Sequence, residues 1–156
     1  MPRVVRLKNR YSVMANILPR VPGPEERPLP VKLRRTIRNI LVVDDDPAFV
    51  AALVELLTDA RYATTVATDG DEALQTLGTT LPIDAAIVDL AMPRVGGFQV
   101  IQQARTSLPM LAITGAYGDQ YLEVAEYLGA KSSVRKPLPG ASLAPIVTAL
   151  TAILRA

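Results

Sequence analysis

Four features of this chain have the residue types to do chemistry together: the run Asp44-Asp45-Asp46, Asp89, Thr114 and Lys136. Each follows a short segment that reads as a strand. Clustered carboxylates repel, by roughly 4 kcal/mol for two unit charges 4 Å apart at an effective dielectric of 20. A cation must offset that cost. Carboxylate oxygens and a backbone carbonyl are hard ligands that suit Mg²⁺. Lys136 adds a second, fixed positive charge and Thr114 a hydroxyl donor. A metal, an ammonium and a hydroxyl around one aspartate make an anion-stabilising site. An aspartate in such a site can be a nucleophile that carries a phosphoryl group, with the metal and lysine neutralising the transferring oxygens. No general base is needed, because carboxylate is already the attacking form. Taken singly, each feature has a plainer reading. Asp-Asp-Asp-Pro can be a helix cap, Asp89 a turn residue, Thr114-Gly115 ordinary loop chemistry, and Lys136-Pro137 a solvated charge before a rigid turn.

The elements that must position these groups follow from periodicity. Asn39–Val43 is an apolar run and predicts a buried strand. Asp46-Pro47 opens a helix, with Asp as N-cap and Pro at the first position, and Phe49, Val50, Leu53, Leu56 and Leu57 carry it to about Ala60. Ala63–Ala67 reads as a second strand and Asp69–Leu77 as a short helix ended by Gly78. Ile83–Val88 is the third strand, leaving Asp89 at its end. Gly97–Ser107 is a helix, Pro109–Ile113 the fourth strand, and Asp119–Leu128 a helix closed by Gly129. Lys131–Arg135, polar except for Val134, reads as a fifth strand, and Ser142–Leu154 as the last helix. This β-α alternation predicts one parallel sheet covered by helices on both faces. Periodicity does not give the strand order. In an open sheet of this kind, ligands bind beyond the carboxyl ends of the strands, where the four features fall.

Composition narrows the possibilities. The chain has 156 residues, about half of them apolar, with no Cys and no His. Disulfides, thiolate metal sites and imidazole bases are excluded, and the chain cannot donate a phosphoryl group from a histidine of its own. No apolar run approaches the ~20 residues of a membrane span. Charge is divided unevenly: residues 1–38 carry ten Lys and Arg against two Glu, whereas 39–156 carry seven against thirteen Asp and Glu. We read 1–38 as a basic, Pro-rich arm, extended where Pro19, Pro22, Pro24, Pro28 and Pro30 crowd together, and 39–156 as a domain. Upstream, Val4, Leu7, Tyr11, Met14 and Leu18 share a face if the segment is helical, beside Arg3, Arg6, Lys8 and Arg10. Such a basic arm can contact an acidic partner, a nucleic acid or a membrane surface, or be a disordered tail.

From about Arg38 to Ala156 the chain resembles a response-regulator receiver domain of two-component signalling, on the segments NILVVDDDP, AIVDLAMPRVGG, LAITG and GAKSSVRKPL. The resemblance implies an α/β fold, a doubly wound, flavodoxin-like, five-stranded parallel sheet of order 2-1-3-4-5. It implies that Asp89 is the phosphoacceptor and that Thr114 and Lys136 contact the phosphoryl group. Mg²⁺ would be held by Asp45 directly, by Asp44 mainly through water, by Asp89, and by the backbone carbonyl of Ala91. Pro137 would follow a cis peptide. The implied partners are a histidine kinase or histidine phosphotransfer protein and a downstream protein, and the implied setting is cytoplasmic. The chain departs from the family pattern at Ser133, where an aromatic switch residue is common. Ala91 and Ala116 are small where dephosphorylation is tuned, and Gly96 replaces a frequent Asp.

The expected protein is a single-domain regulator, not an enzyme, that signals by protein–protein contact or serves as a phosphorelay intermediate. The fourth helix, fifth strand and last helix would form its readout face. Ala144, Thr148, Ala149, Thr151 and Ala152 would give the last helix a small-residue outer face, either a dimer contact or plain solvent surface. The alternative is a pseudo-receiver, a binding module that is never phosphorylated. A haloacid dehalogenase-type phosphatase fits less well, since Ala48 stands where Thr or Val is expected and no acidic residue follows Glu126.

Overall fold

Successive side chains of a strand point to opposite faces of its sheet, and here both faces are dry. In the computed structural model, which describes residues 37–156, Leu41, Val43, Ala86, Val88, Met110 and Ala112 enter one core, and Ile40, Val42, Ala85, Ile87, Leu111 and Ile113 the other. This explains why the central strands read as unbroken apolar runs rather than alternating ones.

The strands are β1 (Asn39–Val43), β2 (Ala63–Ala67), β3 (Ala85–Asp89), β4 (Met110–Thr114) and β5 (Ser132–Arg135), and the helices α1 (Pro47–Asp59), α2 (Gly70–Leu77), α3 (Gly97–Ala104), α4 (Asp119–Leu128) and α5 (Ala144–Arg155). The sheet order is β2-β1-β3-β4-β5, every pairing parallel, as the resemblance implied. Leu53 and Leu57 of α1 and Ile146 and Leu150 of α5 cover one face. Ala73 of α2, Val100 and Ile101 of α3 and Ala125 of α4 cover the other.

Element ends differ from the sequence reading by small, explicable amounts. β3 begins at Ala85 rather than Ile83, because the chain enters through side-chain and backbone bonds at Asp84: Asn39 N–H donates to Asp84 Oδ2 at 2.7 Å and Asp84 N–H to the Asn39 carbonyl at 2.8 Å. α3 stops at Ala104, and Ser107 N–H closes a turn onto the Ala104 carbonyl at 2.9 Å. α5 starts at Ala144, whose N–H donates to the Ser142 hydroxyl at 3.2 Å just ahead of the helix. On α5, Ala144, Thr148 and Ala152 are exposed as expected, but Ala149 packs against the core and Thr151 lies 3.2 Å from the Tyr62 hydroxyl, so the small-residue face is narrower than the spacing suggested.

All peptide bonds among the described residues are trans, Lys136–Pro137 included, so the expected cis bond is not found. The two X-Pro isomers differ by only ~0.5–1 kcal/mol, and residue type alone does not decide between them. Among the described residues, no helix is long and apolar enough to cross a membrane. The arm read over 1–38 lies outside the described residues, apart from its last two.

Candidate functional site

The carboxyl ends of β1 and β3 are neighbours in register, with Val43 opposite Val88, so the residues that follow them emerge side by side. Asp44 is wholly buried and Asp89 nearly so, at 4 % exposed. Asp45 is exposed and, with Asp89, lines an open cleft of about 1050 Å³ at this edge. One carboxylate oxygen from each of Asp44, Asp45 and Asp89 lies within 4.8 Å of the others.

The third aspartate of the run does a different job. Asp46 Oδ1 accepts from the N–H groups of Ala48 at 3.0 Å and Phe49 at 3.3 Å, capping α1 as its position before Pro47 suggested. Its own N–H donates to Asp44 Oδ1 at 2.9 Å, tying the helix start to the buried carboxylate. The plain helix-cap reading is therefore right for Asp46 and leaves Asp44 and Asp45 unexplained by it.

Lys136 arrives from the end of β5 and joins the cluster. Its Nζ donates to Asp44 Oδ2 at 2.7 Å and to Asp89 Oδ2 at 3.4 Å, with its side chain 14 % exposed. Burial pushes the Asp44 carboxyl up; the Lys136 hydrogen bond and the Asp46 N–H pull back without cancelling it. For Lys136, burial would lower the ammonium, but the Asp44 hydrogen bond and the fields of both carboxylates outweigh it and the pKa is raised. Lys136 is thus a firmly charged cation held between two carboxylates.

The remaining expected residues sit at the same edge. Ala91 lines the cleft, and its N–H donates to Asp89 Oδ1 at 3.1 Å, which fixes that carboxylate from the loop side. Thr114 is buried at the end of β4, one residue beyond the Ile113 that pairs with Asp89, and its hydroxyl accepts from Tyr117 N–H at 3.4 Å. Gly97 lets α3 begin against this edge. A Cβ there would lie 2.1 Å from the Asp89 carbonyl oxygen and 2.9 Å from Leu90 Cα, so only glycine permits so close a backbone approach. At Gly96, the N-cap of α3, no side chain caps the helix.

Three features escaped the sequence reading. The Phe49 ring lies under Lys136, 4.1 Å from Nζ to the ring centroid. Helical spacing had marked it only as a core residue. Ser133 donates its hydroxyl to Glu126 Oε1 on α4 at 2.6 Å, so the position that often carries an aromatic instead ties β5 to α4. The aromatic residues near the threonine loop are Tyr117, Tyr121 and Phe98, with ring centroids 4.7 to 6.5 Å apart. Tyr117 and Tyr121 are more than a third exposed, and they differ from a buried switch residue in lying on the surface.

The donor set suits a hard divalent cation: oxygens only, from three carboxylates, on a rigid sheet edge. Asp44, Asp45 and Asp89 can supply its side-chain ligands.

Residues 40–148 match the response regulator receiver domain family. The chain is 32 % identical over 120 residues to response regulator RR06 of Streptococcus pneumoniae, a match covering 75 % of this chain and 53 % of that protein. It is 36 % identical over 120 residues to response regulator MprA of Mycolicibacterium vanbaalenii, covering 75 % and 50 % respectively. The chain thus spans about half the length of these curated relatives. In fold it is similar to a CheY-like receiver domain protein of Methanospirillum hungatei, with a TM-score of 0.69 at 20 % identity over 77 % of this chain and 95 % of that one. The chain belongs to the response-regulator receiver family of two-component signalling.

Proposed function

We propose that Asp89 accepts a phosphoryl group and that the chain signals through the acyl phosphate so formed. The observation that carries this reading is the meeting of Asp44, Asp45, Asp89 and Lys136 Nζ at one sheet edge, with the lysine bonded to both buried carboxylates. An Asp89 oxygen attacks phosphorus, and the bond from phosphorus to the donor breaks: P–N in a phosphohistidine, P–O in an acyl phosphate donor. The carboxylate needs no deprotonation. Lys136 stands beside the acceptor, and Thr114 supplies a hydroxyl at the neighbouring strand end; both are assigned to the phosphoryl oxygens. Asp44, Asp45, Asp89 and the Ala91 carbonyl are assigned to Mg²⁺, which when bound supplies charge neutralisation at those oxygens.

The phosphoryl donor is a histidine kinase or histidine phosphotransfer protein, as the family implies, and the output is contact with a protein partner. New charge beside Lys136 and Thr114 would be felt first by Tyr117, whose N–H the Thr114 hydroxyl accepts, and so by the start of α4. The test is to locate the modification. After incubation with acetyl phosphate and Mg²⁺, borohydride reduction should convert residue 89 to homoserine, read by peptide mass. Homoserine elsewhere, or nowhere, would contradict the assignment and leave a binding module that is not phosphorylated.

A further inference from the structure

Among the described residues, three groups meet the Lys136 ammonium, and one of them is not charged. Two are carboxylates, Asp44 Oδ2 at 2.7 Å and Asp89 Oδ2 at 3.4 Å. The third is the face of the Phe49 ring, 4.1 Å from Nζ. An ammonium within about 6 Å of a ring centroid is attracted by the negative face of the π-system, more strongly where water is excluded. Lys136 is 14 % exposed, so water screens this contact little.

The two carboxylates cannot serve as constant anchors for the lysine. With Asp89 as acceptor, its carboxylate becomes an acyl phosphate and Asp44 serves a divalent cation, so both change charge or partner during the reaction. The ring does neither. Phe49 is held by its position rather than by the chemistry: it lies in the first turn of α1, its N–H is bonded to the Asp46 cap at 3.3 Å, and its side chain is half-buried against the core that α1 and α5 share. Phe49 also lines the cleft.

We infer that Phe49 is a positioning residue for phosphoryl transfer, whose ring face holds the Lys136 ammonium at the acceptor while the carboxylates beside it are engaged elsewhere. This inference rests on the assignment of Asp89 as acceptor. It predicts that what matters at position 49 is an aromatic face, not apolar bulk.

The experiment compares Phe49→Leu and Phe49→Met, which keep apolar volume, with Phe49→Tyr and Phe49→Trp, which keep a ring. The donor is acetyl phosphate, too small to report on a protein docking surface. The rate of phosphoryl gain is followed by intact mass at saturating Mg²⁺ and donor. Leu and Met should slow the maximal rate about tenfold, while Tyr and Trp stay within about twofold of wild type. In the metal-free protein, the Lys136 Cε protons should resonate upfield from the ring current, in wild type and in the ring-bearing variants only. This second reading does not depend on activity. Equal rates for Leu and wild type, or equal slowing by all four substitutions, would overturn the positioning role and leave Phe49 a packing residue. A wild-type chain that gains no phosphoryl group would overturn the acceptor assignment and this inference with it, and the mass alone distinguishes that outcome.

Discussion

Arg135 and Lys136 are consecutive residues that leave the same strand end and make ion pairs of nearly equal length. Arg135 Nη2 lies 2.6 Å from Asp119 Oδ1 and Lys136 Nζ 2.7 Å from Asp44 Oδ2. The first pair is 52 % and 79 % exposed, the second 14 % and 0 %. Distance makes them look alike, but burial separates them. Water and salt already satisfy Arg135 and Asp119, so their pairing is worth little. Asp44 has left water and depends on its partners, so a lost lysine leaves a buried charge uncompensated. The buried side is where chemistry can be done. The exposed side, where Arg135 also reaches the Tyr117 carbonyl at 3.4 Å and Ser133 reaches Glu126, couples β5 loosely to α4.

Substitution should tell the two pairs apart. Lys136→Ala should destabilise the metal-free protein by about 2 kcal/mol near pH 8, less than for a fully buried pair because the lysine keeps some solvent access. Added Mg²⁺ should recover part of that loss in denaturant titrations. A loss indistinguishable from that of Arg135→Ala would show that burial does not separate the two pairs.

The pH dependence sharpens the same point. The folded pKa of Lys136 lies above 10.5, the value in the unfolded chain. Its contribution is therefore fully present below 10.5 and is lost as pH rises through the folded value. The stability gap between wild type and Lys136→Ala should close over that range and stay open at pH 8 to 9. Asp44 shifts stability with the same sign, but over the acid range. Its folded pKa lies above 3.8, so its contribution falls as pH rises from 3.8 through the folded value, and stability gains from protonation on the acid side.

Smaller effects belong to the exposed side. Arg135→Ala should cost no more than about 1 kcal/mol, and that cost should vanish in about 1 M salt. Ser133→Ala should change stability by less still, within about 0.5 kcal/mol, since Glu126 remains solvated. A larger effect of Ser133→Ala would mean that the β5–α4 contact is more than a surface tie.

Much of this fold and site is legible in the sequence, and the reasons are physical. Strands buried on both faces must be apolar throughout, so β1, β3 and β4 stand out as runs. Pro47 after an acidic cap marks the start of α1. The ends were less legible, since Ile83 is as apolar as the strand it precedes and Arg105–Ser107 carry no breaker. Strand order came from the resemblance alone, because a hydrophobic period holds no information about which strands pair. The carboxylates and lysine could be named from their places at strand ends. Phe49 could not, since one helical position serves equally a core contact and a ring beneath a cation. Nor could the partner of Ser133: a hydroxyl seven residues from Glu126 has no spacing rule across a strand and a helix. The isomer of the bond before Pro137 was not legible either, because so small an energy separates the two forms.

Phosphoryl transfer to Asp89 at this edge can be read most directly by intact mass after incubation with acetyl phosphate, with and without Mg²⁺, for wild type and Asp89→Asn. A gain of one phosphoryl group is expected in wild type with Mg²⁺, and none in the variant or without the metal. The same gain in Asp89→Asn would contradict transfer to Asp89.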